Sequence, residues 1–173
     1  ERSYNWAAKG RSPQAAVWLQ ALKAEAAAAR GLSSAAGMLD LVKAFEMVRL
    51  ELVWVRGLEL GFPAAILRAT LETFSFVRRL MLEGAVSDPV ATISAILAGG
   101  GFATDAMFIV LIKPCDTLSM DFPSAELCLF VDDLTVHVVG SEFAVKAQLA
   151  AAIDTTIEIL EDEMGFMVSR TKT

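Results

Sequence analysis

From Ser141 onward the chain carries Leu149, Ile153, Ile157, Leu160 and Met164 at spacings of four, four, three and four, with Asp154, Glu158, Glu161 and Asp162 on another face. That period predicts an amphipathic helix, ended by Gly165, and Phe166–Ser169 then reads as a short strand. Near the start, Ser12-Pro13 is a helix opening with serine as N-cap and proline at the first helical position. The Ala-rich run that follows is closed by Gly31, predicting a helix over about 13–30. Ala35–Val42 is a short apolar, strand-like run. Helical spacing returns from about Phe45, breaks at Gly61-Phe62-Pro63, and resumes to about Thr73. Phe76–Leu82 and Val90–Ile96 read as two strands of a hairpin around the turn-forming Glu83–Pro89. Phe102–Leu118 is expected to be largely helical despite Pro114. The order predicts an α+β fold, an antiparallel sheet with helices packed on one face.

The stretch with most chemistry is Leu127–Val139, two apolar β-branched runs flanking Asp132 and Asp133, which predicts a hairpin with an acidic tip. Adjacent like charges are a poor choice for a tight turn, where Asn-Gly or Asp-Gly serves better. A divalent cation offsets that repulsion and takes hard oxygen ligands. Asp40 is a second acid embedded in an apolar run. An unpaired carboxylate inside a strand is expensive, so Asp40 is expected at the strand's solvent end or against a cation.

The totals narrow the setting. At 173 residues one compact domain is expected, and 55 % hydrophobic against 21 % charged residues points to surface that meets neighbours. The net charge of −6 is uneven: residues 1–90 hold 11 Lys/Arg against 9 Asp/Glu, and residues 91–173 hold 4 against 12. This is a weak electrostatic footprint for a nucleic-acid binder. Cys115 and Cys128 form no CxxC and have no histidine cluster beside them, so neither a disulfide framework nor a zinc site is indicated, and a reducing, intracellular setting fits. Pro89–Ile112 is long and nearly uncharged, but Asp105 and Gly99-Gly100-Gly101 argue against one membrane-spanning helix, and no membrane partner is expected.

Taken in order, Asp40-Leu-Val-Lys-Ala-Phe45, Phe130-Val-Asp-Asp133 and Gly165 to Lys172-Thr173 resemble the palm motifs of reverse transcriptases, most closely those of the non-LTR retrotransposon branch. The family's first motif is D-x-x-x-A-F, its third is [YF]-x-D-D, and its fourth ends in a K-T pair after a G-x-x-V strand. Ala98–Leu118 stands where the family has its second motif, and Gly10-Arg11-Ser12 resembles the segment before the first. The resemblance implies a right-hand polymerase palm over 35–173, preceded over 1–34 by the end of the fingers and a connecting helix. The upstream finger strands and the downstream thumb would then belong to a longer parent chain.

The implied activity is RNA-directed DNA polymerisation, with RNA template, DNA primer and deoxynucleoside triphosphates as partners and two Mg2+ or Mn2+ ions as cofactors. Asp40, Asp132 and Asp133 would hold the metals, and Lys172 would assist pyrophosphate departure. Phe45 matches the steric gate against a ribose 2′-hydroxyl, and Lys43, Ala44, Phe102 and Ala103 fall at nucleotide-contacting places. Arg11, Arg78 and Arg79 are candidates to meet template or primer phosphates. The chain departs from the family pattern at Phe102-Ala103, where Gln-Gly is usual, and at Ser169, where Asn is common. Those departures leave a catalytically decayed palm, kept as a binding or scaffold domain, as the alternative. His137, between Val136 and Val138, reads as a strand residue rather than a ligand.

Overall fold

The computed structural model describes residues 2–92 and 94–170, which fold as two compact units. The first comprises Glu1–Val42 and Ile112–Thr173, and the second Lys43–Leu111. In the first unit, α1 (Pro13–Ala29) starts as its sequence predicts: Ser12 is extended and its side chain accepts from the Ala15 N–H. Strands β1 (Ser33–Leu39), β4 (Ala125–Phe130) and β5 (Asp133–Gly140) form an antiparallel sheet in the order β1-β5-β4. α6 (Glu142–Glu158) comes next and runs into one wide π-type turn, Ile159–Glu163.

Antiparallel partners point to the same side of a sheet, so the register separates two faces. Leu134, Val136 and Val138 on β5 share one face with Leu127 and Leu129 on β4, and all five are buried. α6 covers that face. It comes so close that a Cβ on Gly37 of β1 would meet Ile153 Cδ1 at 2.3 Å. Each fully buried aliphatic side chain contributes about 1.5–3 kcal/mol, so this layer is the main apolar support of the sheet. α1 lies along the opposite face, where its Lys23 pairs with Glu126 of β4. The outer edge of β4 is closed by the N-terminal stretch: Trp6 N–H donates to Leu129 O at 2.9 Å, and Leu129 N–H to Tyr4 O at 2.8 Å. The architecture is α+β with an antiparallel sheet, in line with the order of predicted elements, but helices pack on both faces rather than on one, α6 on the first and α1 on the second.

The second unit holds α2 (Ala44–Met47), α3 (Leu50–Glu59), α4 (Ala64–Phe74) and a two-stranded hairpin, β2 (Met81–Leu82) with β3 (Ala85–Val86). The expected hairpin is present but shorter and differently placed. Glu83 and Gly84 both take positive φ, 49° and 83°, the conformation a two-residue type I′ loop needs, and this turn sets the register. Val90–Ile96 was expected as a strand. Among its described residues only isolated bridges form, Val90 to Arg78 and Ser94 to Arg49. α5 (Ala103–Asp121) begins after the glycines, so Pro89–Ile112 is not one helix, and no helix among the described residues is long and apolar enough to cross a membrane.

Candidate active site

β1 ends at Leu39, paired with Leu134, which puts Asp40 just past the ladder beside the start of β5. Buried Leu39 and Leu41 hold the backbone on either side of it. The C-terminal tail then clamps it: Ser169 N–H donates to Asp40 O, and Val42 N–H donates to Met167 O, both at 2.8 Å. The tail is itself anchored, since Val168 N–H donates to the Glu161 carboxylate at 3.0 Å. Asp40 is thus fixed by backbone bonds made over 120 residues further along the chain.

The β4–β5 turn differs from the sequence expectation. Phe130 pairs with Asp133, so the two loop residues are Val131 and Asp132, and Asp133 is the first residue of β5 rather than half of the tip. Val131 has φ 61°, a conformation glycine normally supplies and a β-branched residue adopts only under strain of about 1–3 kcal/mol. The strained valine places Asp132 at the outermost position of the turn. Burial raises the Asp132 carboxyl above the usual carboxylate range, its own backbone N–H opposes that, and the charges of Asp133 and Asp40 raise it further. The three aspartates therefore share one electrostatic environment. Their hard oxygens suit Mg2+ or Mn2+. Among the described residues no three acid, histidine or cysteine side chains converge into a ready cation cage. That is compatible with Mg2+, which is commonly held by one or two carboxylates together with substrate phosphates.

Beside the carboxylates, between α1 and the sheet, lies a cavity of about 290 Å3. Asp40 and Asp133 line it together with apolar Val17, Met38, Phe130 and Leu134 and with polar Gln20 and Thr135, so a charged edge meets a mainly apolar wall. Neither Val17 nor Met38 was expected at the site from the sequence. Val17 lies on α1 and Met38 on the sheet face that α1 covers, a juxtaposition no local pattern reveals.

The remaining sequence-predicted residues are spread over both units. Lys172 lies outside the described residues. Arg11 belongs to the first unit and donates to the carbonyls of Ser3 and Asn5 at 2.6 and 2.8 Å, with its guanidinium 5.4 Å from the Trp6 ring centre. Lys43, Ala44, Phe45, Arg78, Arg79, Phe102 and Ala103 belong to the second unit. Phe45 is half-buried, and its carbonyl accepts from Ile96 N–H. Lys43 is exposed with φ 49°, while Ala44 is buried. Arg78 donates to Phe74 O and Arg79 to Ser87 O. Phe102 is half-exposed and Ala103 buried at the start of α5. His137 is buried, its Nε2 2.8 Å from Ser34 Oγ.

A second polar cluster has no signature in the sequence. The Asp116 carboxylate accepts from Arg2 Nε at both oxygens, from Arg2 Nη2 at one, and from Tyr4 OH at 2.6 Å. The Arg2 bond, first, holds Asp116 below the usual carboxylate range. Its partners are more than 110 residues away, so it pins the N-terminal stretch and reads as structural. Cys115 and Cys128 are both free thiols, pushed up by burial to about 12 and about 11, and are therefore unreactive.

No protein-family profile matches the chain, and no curated protein matches it in sequence. Its fold is similar to a solved structure of apo telomerase from Candida tropicalis truncated from the C-terminal domain, with a TM-score of 0.52 at 11% identity. The match covers 93% of this chain and 34% of the telomerase chain, so the protein described here spans about a third of that structure's length.

Proposed function

We propose that this chain is the palm of an RNA-directed DNA polymerase of the retrotransposon-like kind, joining deoxynucleotides to a primer 3′-hydroxyl on an RNA template. The observation that carries the reading is the gathering of Asp40, Asp132 and Asp133 where β1 ends and the β4–β5 hairpin turns, close enough for two of them to raise the proton affinity of the third. Similarity in fold to a telomerase, a reverse-transcriptase-related enzyme, supports the same assignment. In nucleotidyl transfer a 3′-hydroxyl attacks the α-phosphorus and pyrophosphate leaves. Divalent metal held by these carboxylates would neutralise charge on the entering and leaving oxygens.

The chain's own contribution is positional. The tail clamp fixes Asp40, the strained turn presents Asp132, and Asp133 faces the cavity whose apolar side limits water near the carboxylates. Phe45 is assigned the gate against a ribose 2′-hydroxyl, with Lys43 and Ala44 beside it in sequence. A decayed palm, retained for binding, is favoured by one observation: Phe102 stands half-exposed where a polar side chain is expected.

The experiment is RNA-templated primer extension by the full-length protein with Mg2+. Asp132→Asn is expected to reduce extension by more than about 100-fold, beyond the range typical of losing an outer-shell metal partner. Phe45→Ala should raise ribonucleotide over deoxynucleotide incorporation. Absence of extension in the parent would favour the decayed palm, and equal extension by Asp132→Asn would refute the catalytic assignment.

A further inference from the structure

A second cavity, of about 360 Å3, opens under the last turns of α1, at the opposite end of the same sheet face. It shares no lining residue with the carboxylate cavity, and its chemistry is independent of the polymerase reading. Lys23, Ala26, Ala27 and Arg30 keep the helical period and fall on one face of the helix. The two alanines leave the space, and the long cationic side chains bracket it across about 10 Å of helix. Leu32 and Val139 add apolar wall.

The charges in this cavity do not cancel. Lys23 is already paired with Glu126 of β4. The Arg30 side chain has no hydrogen bond or ion pair among the described residues, and its full charge outweighs the partial negative charge of the α1 C-terminus at which it stands. His137 of β5 lines the cavity with only 4% of its surface exposed, its Nε2 against Ser34 Oγ. Burial lowers its proton affinity, Lys23 lowers it further, and Glu126 opposes both, so the imidazole is neutral near pH 7. One surplus positive charge remains beside an apolar floor, in a volume at the lower end of ligand-sized pockets. A doubly charged phosphate would leave negative charge unmatched next to Glu126, since the one further hydroxyl in the lining, that of Ser124, already donates to Gln148 at 3.0 Å.

We propose that this cavity binds a small organic monocarboxylate, its carboxylate on Arg30 with Lys23 as the second cation and its apolar body against Ala26, Ala27 and Val139. Because His137 is the chain's one histidine, its ring protons report on the cavity directly by proton NMR. The probe is hexanoate, titrated into the full chain at constant ionic strength, with chloride and inorganic phosphate as comparisons. A saturable shift of the His137 resonances is expected with hexanoate, together with an upward move of the imidazole titration, since a nearby anion favours the charged form.

Arg30→Gln should weaken binding by about tenfold or more, the effect of losing one charge-assisted hydrogen bond. Ala26→Leu should block it by filling the floor, and Lys146→Gln on α6 should leave it unchanged. The proposal is overturned if hexanoate gives no saturable shift, if Arg30→Gln binds as the parent does with an unaltered amide spectrum, or if phosphate binds more tightly than hexanoate.

Discussion

Asp132 and Asp116 are moved in opposite directions by their surroundings, and their pH dependences should therefore have opposite signs. Asp132 is raised, chiefly by burial, so its contribution to stability is present below its unfolded value of about 3.9 and is lost as pH rises through the folded value. At neutral pH its charge is a liability. Asp132→Asn should accordingly melt higher than the parent at pH 7, with the gap closing as pH falls below about 4. Asp116 is lowered by Arg2 and Tyr4, so its contribution is present above the unfolded value and is lost as pH falls through the folded one. Asp116→Asn should melt lower at pH 7, with that gap also closing in acid. Thermal melts of both variants from pH 3 to 7 check this, and losses of the same sign at pH 7 would contradict it. A residue retained at the expense of stability is what a functional site predicts. The sequence made the acidity of this hairpin legible but not its turn, because a β-branched residue at positive φ is the last choice that local preference would make for Val131.

At the scale of elements, the hairpin was readable from its β-branched runs, β1 from the short apolar run Ala35–Val42, and α1 from its Ser-Pro start. The tail, expected as the strand Phe166–Ser169, forms only an isolated bridge from Val168 to Leu41, and its partner was not readable. Its pairing with Leu41 and Val42 is non-local, and nothing in Phe166–Ser169 says which edge it joins. That pairing supplies the clamp on Asp40. Ser169→Pro removes the N–H that bonds Asp40 O while leaving the three-stranded ladder intact. It should weaken divalent-cation binding by about 10–100-fold, the range for an outer-shell partner, with little change in far-UV circular dichroism. Cation affinity equal to the parent's would mean that the tail does not position Asp40. The β2–β3 hairpin shows the converse case, in which Glu83-Gly84 dictated a tighter register than the flanking apolar runs suggested.

At the scale of the whole molecule, the hydrophobic content stands partly on the surface: Leu80, Met81 and Leu82 are each more than 70% exposed. The division into two units was not legible, because the first unit is assembled from the two ends of the sequence and only tertiary pairing reveals it. The three aspartates all belong to that unit, so their capacity for cations can be measured on the chain itself. The most direct measurement is paramagnetic broadening of backbone amides on titration with Mn2+, in the parent and in Asp132→Asn. Saturable broadening centred on Asp40, Asp132 and Asp133 is expected, displaced by Mg2+ and weakened in the variant. Broadening centred on the acidic face of α6, or unchanged by Asp132→Asn, would contradict a cation site built from these carboxylates.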